Sequence, residues 1–502
     1  MKKNIFIVLL CIMSFSFSMD AYAAYPAKYS AVSRGYVTAP KNQGGYGTCY
    51  AFSAISAIET NLLKNKKVAK TIDLSEYHLV YSLFKEQGYN IKNVASYGMQ
   101  PEEVHRFLTG GMNITTESKI GYSLVKKGTT PSATALDSGT VVVKNAYRIS
   151  YSKDNVKGFI GKYGSAIVAA HVRGLYFDTK IKNYNCTVEN DKLIDHSFVI
   201  VGWDDNYSRN NFKYKPKNNG AWLCKNSGGN SAIKEGYFWM SYESKSVYDT
   251  IYAYEADISS GYYSTYKYDS NKSNLAMKNV RVQTNIYTAK QDELLTNVMM
   301  YVEDVRCNYN IYYYPGDVTT EEVADYKDKS TLLKSGTTYY RGYYTVDVAK
   351  TILLSKGQEY SIIVEMTNYI GNKATFAYSS STDVNNKSYV VYEDEDKWKD
   401  IASDSYTCKI RVGTKRAMET AFTRYSARTV IVTANTTAHI AKKKYLFRIE
   451  NAAGKVYLNT GCVNSNRLVW QPTVKGTYIV KVYCKDLNTG KLYGRAKYYT
   501  FK

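Results

Sequence analysis

A polar, glycine-rich loop that runs directly into an amphipathic helix constrains the fold of this chain more than any other segment. The loop covers residues 41–48, and the apolar positions 51, 55, 58 and 62 share one face of the helix after it. Cys49 falls in the first helical turn, where the partial positive charge of the N–H groups favours thiolate. These positions predict a reactive cysteine, although a lone cysteine on such a helix is more often structural.

The same segment resembles the signature of the papain-like cysteine peptidases. The matching residues are Gln43, Gly47, Cys49, Ala51, Phe52 and Ser53. The resemblance implies an α+β fold with a two-lobed catalytic domain, in which a helical lobe faces a β-barrel-like lobe. It also implies that Cys49 attacks a peptide carbonyl and forms a thioester, while Gln43 and the Cys49 backbone N–H stabilise the oxyanion.

A thiolate nucleophile needs an imidazole partner, and the chain has five histidines. Only His196 has the context of the family, because it precedes an apolar strand that ends in Gly-Trp. The Lys-Asn-Ser-Gly segment at 225–228 is similar to the family's Lys-Asn-Ser-Trp, which implies that Asn226 orients His196. Taken alone, a histidine at a strand start is more often structural, and an asparagine in a glycine-rich loop is usually a turn residue.

Three positions depart from the family pattern. Tyr46 stands where many relatives have a disulfide cysteine, and Tyr50 replaces the commoner tryptophan. Gly228 replaces the tryptophan that shields the hydrogen bond between asparagine and histidine, so water would compete for that bond. A catalytically weak or inactive surface adhesin or glycan-binding protein on a peptidase fold therefore stays open as the alternative to an active peptidase.

Substrate contacts are harder to place from the sequence. Gly98 and Met99 precede a predicted helix and are expected to offer a backbone edge to an extended substrate, and Asp195 is expected to border the site beside His196. Protein or peptide substrates are the expected partners, and no cofactor and no metal are expected. An acidic run at 393–396 leaves two interpretations open, a calcium site or a solvated turn, of which the turn is the commoner.

The N-terminus has the pattern of a secretory signal peptide. Residues 1–23 combine a short basic start, an apolar stretch and a small-residue cleavage site, so the mature chain is expected to begin near Ala24. No later segment is long and apolar enough for a membrane span. We therefore expect a secreted protein, extracellular or associated with the cell wall. The interval between Ala24 and Cys49 leaves no room for an inhibitory propeptide.

Composition patterns divide the rest of the chain into a catalytic domain and two all-β modules of the sandwich type. Residues 24–257 mix helices and strands, whereas 258–414 and 415–502 alternate apolar and polar residues between turn signals. The segment 258–414 resembles the lectin-like domain found beside bacterial papain-like peptidases, which implies a jelly-roll-like sandwich. Whether it binds glycans or serves as a packing spacer stays open. Residues 415–502 resemble a small immunoglobulin-like bacterial module.

The remaining cysteines suggest one disulfide in each domain, because an exported chain permits such bonds. Outside the signal peptide and Cys49 they fall two to a domain, which gives as a hypothesis the pairs Cys186 and Cys224, Cys307 and Cys408, and Cys462 and Cys484.

The chain is strongly basic, and the excess is concentrated at one end. The formal net charge is +22, and residues 415–502 hold 17 basic and 3 acidic side chains, a net charge of +14. Such a surface is expected to bind an anionic cell-wall polymer, with affinity that falls as salt rises. Nucleic acid is not an expected partner, because charge is its only support and no nucleic-acid-binding module accompanies it.

Overall fold

The computed structural model describes most of the chain after the predicted signal peptide. The described residues are 25–94, 97–172, 174–178, 180, 183–187, 194–228, 236–259, 264–269, 275–368, 374–380, 386–424, 426, 429–436, 440–451, 453–488, 490 and 492–501. The predicted signal peptide, residues 1–23, lies outside them. We refer to residues 25–257 as the N-terminal block, 258–414 as the middle block and 415–502 as the C-terminal block; as domain boundaries these limits stay predictions.

Helices are few and lie mostly in the N-terminal block. The α-helices are α1 (Cys49–Lys64), α2 (Glu76–Gln87), α3 (Pro101–Leu108), α4 (Ala133–Leu136), α5 (Lys153–Tyr163) and α6 (Tyr326–Lys329). Short 3-10 helices cover Ile91–Asn93, Tyr122–Lys127, Gly174–Tyr176, Arg209–Asn211, Val318–Thr320 and Ala402–Asp404. Among the helices that the structure describes, none is long and apolar enough to cross a membrane.

Helix α1 is enclosed on all sides, whereas the sequence pattern predicts a single buried face. Residues 50–63 are all buried, polar ones included. Asn61 is accommodated because its side chain donates to the carbonyl of Tyr163 at 3.2 Å and accepts from the N–H of Ala256 at 2.9 Å. The helix that begins at Cys49 is thus fixed from several directions at once.

The strands of the N-terminal block pack around this helix. They are β1 (Lys28–Ser30), β2 (Asn113–Ile114), β3 (Val141–Ser150), β4 (Ala166–Ala170), β5 (Phe177–Asp178), β6 (Asn183–Tyr184), β7 (His196–Asp204), β8 (Ala221–Lys225), β9 (Tyr237–Ser241) and β10 (Val247–Ile258). Strand β7 pairs antiparallel with β1, β4 and β8. Strand β10 pairs antiparallel with both β3 and β4. One apolar core lies between α1, α2 and these strands, and a second lies under α5.

The middle block is a sandwich of two sheets around one apolar core. Its strands are β11 (Ser264–Tyr266), β12 (Leu275–Met277), β13 (Val280–Thr288), β14 (Glu293–Val302), β15 (Cys307–Tyr314), β16 (Thr331–Thr338), β17 (Arg341–Leu354), β18 (Glu359–Asn368), β19 (Phe376–Ser380), β20 (Ser388–Tyr392), β21 (Lys399–Asp400), β22 (Tyr406–Cys408) and β23 (Ile410–Arg416). One sheet has the order β16-β15-β18-β13-β20-β21. The other is built on β14, which pairs with β17 and β23.

The sheets of the N-terminal and middle blocks are continuous, although the sequence predicts separate modules. Strand β17 pairs antiparallel with β3, so that Gly342 lies opposite Tyr147. Gly342 has a φ of 134°, and a Cβ atom there would lie 2.0 Å from the carbonyl oxygen of Ala146. Only glycine permits this approach. Lys144 also contacts Asp347 across the joint, with 2.8 Å between nitrogen and oxygen.

The C-terminal block is a smaller sandwich. Its strands are β24 (Met418–Arg424), β25 (Val430–Thr436), β26 (Lys443–Asn451), β27 (Val456–Asn459), β28 (Arg467–Trp470), β29 (Gly476–Asp486) and β30 (Leu492–Phe501). A three-stranded sheet, β24-β25-β28, shares an apolar core with a four-stranded sheet, β27-β26-β29-β30. The immunoglobulin-like relationship of this block stays a prediction.

The disulfide hypothesis is wrong for this structure. Cys224, Cys307, Cys408, Cys462 and Cys484 are all free thiols, so none of the three suggested pairs is bridged. The buried thiols instead act as small core groups; Sγ of Cys408 donates to the carbonyl of Tyr389 at 3.6 Å. Export permits disulfides but does not require them.

Candidate active site

Cys49 is the first residue of α1, as the loop-to-helix pattern predicts. No side chain caps the helix at Thr48. The hydroxyl of Thr48 instead bonds to that of Tyr122 at 2.6 Å, and Tyr122 donates to the carbonyl of Gln43 at 2.8 Å. These bonds hold the loop against the helix, and within the first turn the backbone N–H groups of Cys49 and Tyr50 lower the pKa of the thiol.

Gln43 is buried beside the start of this helix, with only 9% of its surface exposed. Its Nε2 donates to the carbonyl of Tyr46 at 2.8 Å, which uses one of the two amide hydrogens. Its Oε1 accepts from the hydroxyl of Ser227 at 2.7 Å, and its backbone N–H donates to the Ser227 carbonyl at 2.9 Å. Ser227 therefore fixes the orientation of the Gln43 side-chain amide, with Oε1 toward the serine and the donor Nε2 directed away from it.

His196 and Asn226 are brought together from two adjacent strands. His196 begins β7, and Asn226 follows directly after β8. Nε2 of the imidazole lies 2.7 Å from Oδ1 of Asn226. Because a carboxamide oxygen only accepts, Nε2 must carry the proton, which leaves Nδ1 of the neutral ring able to accept one.

Cys49 lies against the start of the same strand. The backbone N–H of Ser197, the residue after His196, lies near enough to the Cys49 thiol to lower its pKa. The hydroxyls of Ser53 and Ser197 are 2.8 Å apart and link α1 to β7. The structure thus gathers the four residues singled out by the sequence as catalytic, Gln43, Cys49, His196 and Asn226, at the junction of α1, β7 and β8.

Burial sets the proton affinities of the cysteine and the histidine. It raises the pKa of the Cys49 thiol, although N–H groups of Ser197 and Tyr50 act in the opposite direction. Burial also lowers the pKa of His196, against the effect of the Asn226 hydrogen bond. The position of Cys49 at the start of a helix predicts that the thiolate is favoured. Desolvation, however, raises the pKa of the thiol by more than the N–H groups lower it. Since each lone charge is disfavoured, a thiolate and an imidazolium are best stabilised when they form together.

Gly228 places no side chain of its own over the Asn226 amide. The glycine is exposed, and a Cβ atom there would lie 3.2 Å from Nδ2 of Asn226. A large side chain at this position would therefore cover the amide. Position 228 therefore gives the bond between His196 and Asn226 no such cover.

The three residues predicted to bind substrate have different surroundings. Gly98 is exposed, and its backbone nitrogen would lie 3.4 Å from a Cβ atom on Gly47, so it borders the loop that precedes Cys49. The side chain of Met99 is in the apolar core, which leaves only its backbone for the predicted edge. Asp195 accepts from the N–H of Val172 at 2.8 Å and lies 3.0 Å from Nδ1 of His171.

The sequence does not predict a buried cluster of charged side chains that lies close to Asn226. Glu59 is fully buried on α1, accepts from the hydroxyl of Thr38 at 2.6 Å and lies 3.3 Å from Nζ of Lys41. Lys225, next to Asn226 in the chain, donates to the same Thr38 hydroxyl at 3.1 Å. The sequence signal for this cluster is a single carboxylate on an otherwise apolar helix, but its cationic partners are distant in the chain and are found only in the folded structure.

Burial shifts two titrations within this cluster. It lowers the pKa of Lys225 to about 8, although Glu59 opposes the shift. It raises the pKa of Glu76 to about 7, although Lys41, 2.9 Å away, opposes that shift. Both directions reflect the cost of a charge in a desolvated site.

Two protein families match consecutive parts of the chain. Residues 25–256 match the model of the papain family of cysteine proteases, and residues 251–413 match that of a lectin-like domain. Similar curated proteins are the probable cysteine protease RD19B of Arabidopsis thaliana, 28% identical over 221 residues, and human cathepsin L2, 28% identical over 214 residues. The matches cover 42% and 41% of this chain, and the chain spans only 57% of the length of each relative.

A solved structure resembles both blocks together. It contains the cysteine protease and lectin-like domains of Cwp84, a surface layer associated protein of Clostridium difficile. The two chains are 28% identical with a TM-score of 0.67, over 78% of this chain and 89% of the other. A second structure of Cwp84, after propeptide cleavage, has a TM-score of 0.66, also at 28% identity, and covers 77% of this chain and 99% of the other.

Proposed function

Since residues 25–256 form a papain-family cysteine peptidase domain and residues 251–413 a lectin-like domain, we propose that this chain is an exported cysteine endopeptidase held at the cell surface. The observation that carries the proposal is the imidazole of His196 held 2.7 Å from Asn226, next to Ser197, whose backbone N–H lowers the pKa of Cys49. This is the arrangement that thiol nucleophiles require.

Acylation would begin with proton transfer from the Cys49 thiol to Nδ1 of His196. The thiolate attacks the carbonyl carbon of the scissile peptide bond, and the carbonyl oxygen takes the negative charge. The tetrahedral intermediate collapses as His196 gives its proton to the leaving amine, which departs with the new N-terminus. A thioester on Cys49 remains.

Deacylation would reverse the roles of the two groups. His196 accepts a proton from water, and the resulting hydroxide attacks the thioester carbonyl. The second tetrahedral intermediate releases the carboxylic acid and the Cys49 thiolate, which is paired with the imidazolium. In both steps the second N–H of Gln43 and the backbone N–H of Cys49 would stabilise the oxyanion.

The other domains are proposed to hold the enzyme near its substrates. The relative Cwp84 is described as associated with the surface layer, and this chain places a net charge of +14 in residues 415–502. A cationic module of this kind would bind an anionic wall polymer. The lectin-like domain is proposed to contribute attachment to glycans, and Gly98, Met99 and Asp195 to border the bound peptide.

The alternative function, a weakly active or inactive adhesin, is favoured by one observation. Gly228 places no side chain over the amide of Asn226, and water at that side would weaken the bond to His196.

Cleavage of an unstructured protein separates the two functions. We expect the purified chain to degrade casein under mild reductant and Cys49→Ala to show none of this activity. Cys462→Ala, which removes an exposed thiol in the C-terminal block, is the matched control and should retain full activity. Equal cleavage by the Cys49→Ala variant would refute the role of Cys49, whereas no cleavage by the parent would favour the adhesin.

A further inference from the structure

The middle block has a groove, lined by both polar and apolar side chains, that the peptidase chemistry does not use. It is a cavity of about 430 Å³ on the outer face of the sheet β16-β15-β18-β13-β20-β21. Ligand pockets in proteins have volumes of this order. The opposite face of the same sheet packs on the apolar core, so the groove lies where side chains alternate outward.

Two rows of hydrogen-bonding side chains cross three strands and form the floor. In one row Ser335 donates to Oδ1 of Asn310 at 2.7 Å, and Nδ2 of Asn310 lies 3.3 Å from Glu365. In the other, Thr337 donates to Oδ1 of Asn308 at 2.8 Å. The strand register places Thr367 opposite Asn308. These contacts orient the amides before any ligand arrives.

The second row presents groups that bond to no protein atom within the described part of the chain. Asn308 and Thr367 are both exposed, and neither Nδ2 of Asn308 nor the hydroxyl of Thr367 has a protein partner there. Nδ2 of Asn308 is a donor on an amide of fixed orientation, and the hydroxyl of Thr367 can donate or accept a hydrogen bond. A ligand in the groove would meet both kinds of group on one strand pair.

Three charged groups that line the groove, Arg281, Lys327 and Glu365, are already paired. Glu365 lies 2.6 Å from Nζ of Lys327 and accepts from the hydroxyl of Tyr326 at 2.5 Å. Arg281 contacts Asp396 with 2.6 Å between nitrogen and oxygen. An ionic ligand would have to break these pairs, whereas hydroxyl groups can bond to their remaining lone pairs and protons. The lining therefore suits a neutral molecule with many hydroxyls.

We propose that this groove binds a neutral oligosaccharide, with Asn308 and Thr367 as direct contacts and Glu365 and Lys327 at one side. The inference rests on the proposed attachment role of the lectin-like domain and assigns that role a site. It differs from the proposed wall-polymer contact of the C-terminal block, where net charge would provide the attraction.

Calorimetric titration with four neutral trisaccharides tests the groove directly. The probes are chitotriose, maltotriose, cellotriose and mannotriose, and trigalacturonate is the charged comparison. We expect saturable binding of at least one neutral probe with a Kd of about 1 mM or tighter. Trp398, whose ring lies 5.8 Å from that of Tyr326, gives an independent fluorescence signal. Absence of binding by all four neutral probes, or tighter binding of trigalacturonate, would overturn the proposal.

Two substitutions in the groove test whether the saccharide binds there, and one substitution outside the groove serves as the control. Asn308→Asp keeps the oxygen that accepts from Thr337 but removes the Nδ2 donor, and Thr367→Ala removes the facing hydroxyl. Each should weaken binding at least tenfold, while Asn488→Ala, at an exposed turn of the C-terminal block, should leave it unchanged. Parental affinity in both groove variants would overturn the assignment of the site.

Casein cleavage by the same preparations separates this inference from the proposed peptidase. Groove variants should cleave casein at the parental rate, which also shows that they are folded. Intact cleavage without saccharide binding refutes the groove alone, and saccharide binding without cleavage refutes the peptidase alone.

Discussion

Nε2 of His196 lies 2.7 Å from Oδ1 of Asn226, and the same oxygen accepts the backbone N–H of Ser227 at 2.9 Å. The amide is therefore held by two donors at once, so it cannot rotate to present its own N–H groups to the ring. One tautomer of the imidazole is selected as a result.

Asn226→Ala should lower kcat/KM for casein-derived peptides about 10- to 100-fold. Loss of one buried hydrogen bond costs about 1–3 kcal/mol, and each 1.4 kcal/mol is a tenfold change in rate. Initial rates across pH 5–8 check this, because a ring without its partner should also change the pH profile. Asn488→Ala is the matched substitution away from the site, and parental kinetics in Asn226→Ala would contradict the orienting role.

Gln43→Glu should reduce kcat about 100-fold with little change in KM. The carboxylate can still accept from Ser227, but it replaces an N–H donor with a negative charge beside the developing oxyanion. Steady-state kinetics measure the two constants separately. Ser227→Ala leaves the donor in place and loosens only its orientation, so its kcat should fall less; an equal fall in both variants would argue against a direct role for Gln43.

Glu59→Gln should lower the free energy of unfolding by about 3 kcal/mol, because it removes the buried negative charge that lies 3.3 Å from Nζ of Lys41 and opposes the desolvation of Lys225. Asp73→Asn is the control, since Asp73 contacts the same Lys41 nitrogen at 2.6 Å but is 54% exposed. An exposed ion pair is worth less than about 1 kcal/mol. Urea unfolding of the two variants compares them, and equal losses would show that burial does not set the contribution of the cluster.

His105→Phe should reduce the loss of stability in acid. His105 is fully buried against the rings of Tyr252, Tyr254 and Tyr343, and burial lowers its pKa from 6.5 to about 4. Between these pH values the unfolded chain binds a proton that the folded chain does not, so the free energy of unfolding falls as pH drops.

In the variant that lacks His105, the fall in the free energy of unfolding between pH 7.5 and pH 4 should be smaller by on the order of 3 kcal/mol. His78, whose pKa burial also lowers to about 4, keeps its own contribution in the variant. Denaturant unfolding at both pH values gives the difference directly, and packing changes cancel because they act at both. An identical decline in parent and variant would rule out the titration of His105 as its cause.

Deletion of residues 415–502 should abolish the salt-sensitive part of retention on isolated Gram-positive cell walls, because it removes a net charge of +14. Retention at low and at high salt is compared for the full and shortened chains. Casein cleavage by the shortened chain shows that the remaining blocks are folded. Unchanged retention would show that the wall contact lies elsewhere.

The sequence predicts those parts of the fold and of the candidate site that depend on a local residue pattern. The start of α1 at Cys49 and the strand after His196 both follow from short apolar patterns, and the match of Gln43 to the family places it beside the helix. The cluster around Glu59 could not be predicted, because Thr38, Lys41 and Lys225 meet only through tertiary folding. The same holds for the net shift of the Cys49 pKa, since the extent of desolvation depends on packing by the entire block.

The pairing of β17 with β3 also determines how the molecule carries mechanical load. From β17, backbone hydrogen bonds continue through β3, β10 and β4 to β7, which begins with His196. A force that acts on the middle block is therefore distributed over antiparallel ladders rather than concentrated on a flexible linker. The N-terminal and middle blocks would move together, and the candidate active site would keep a fixed orientation relative to the middle block.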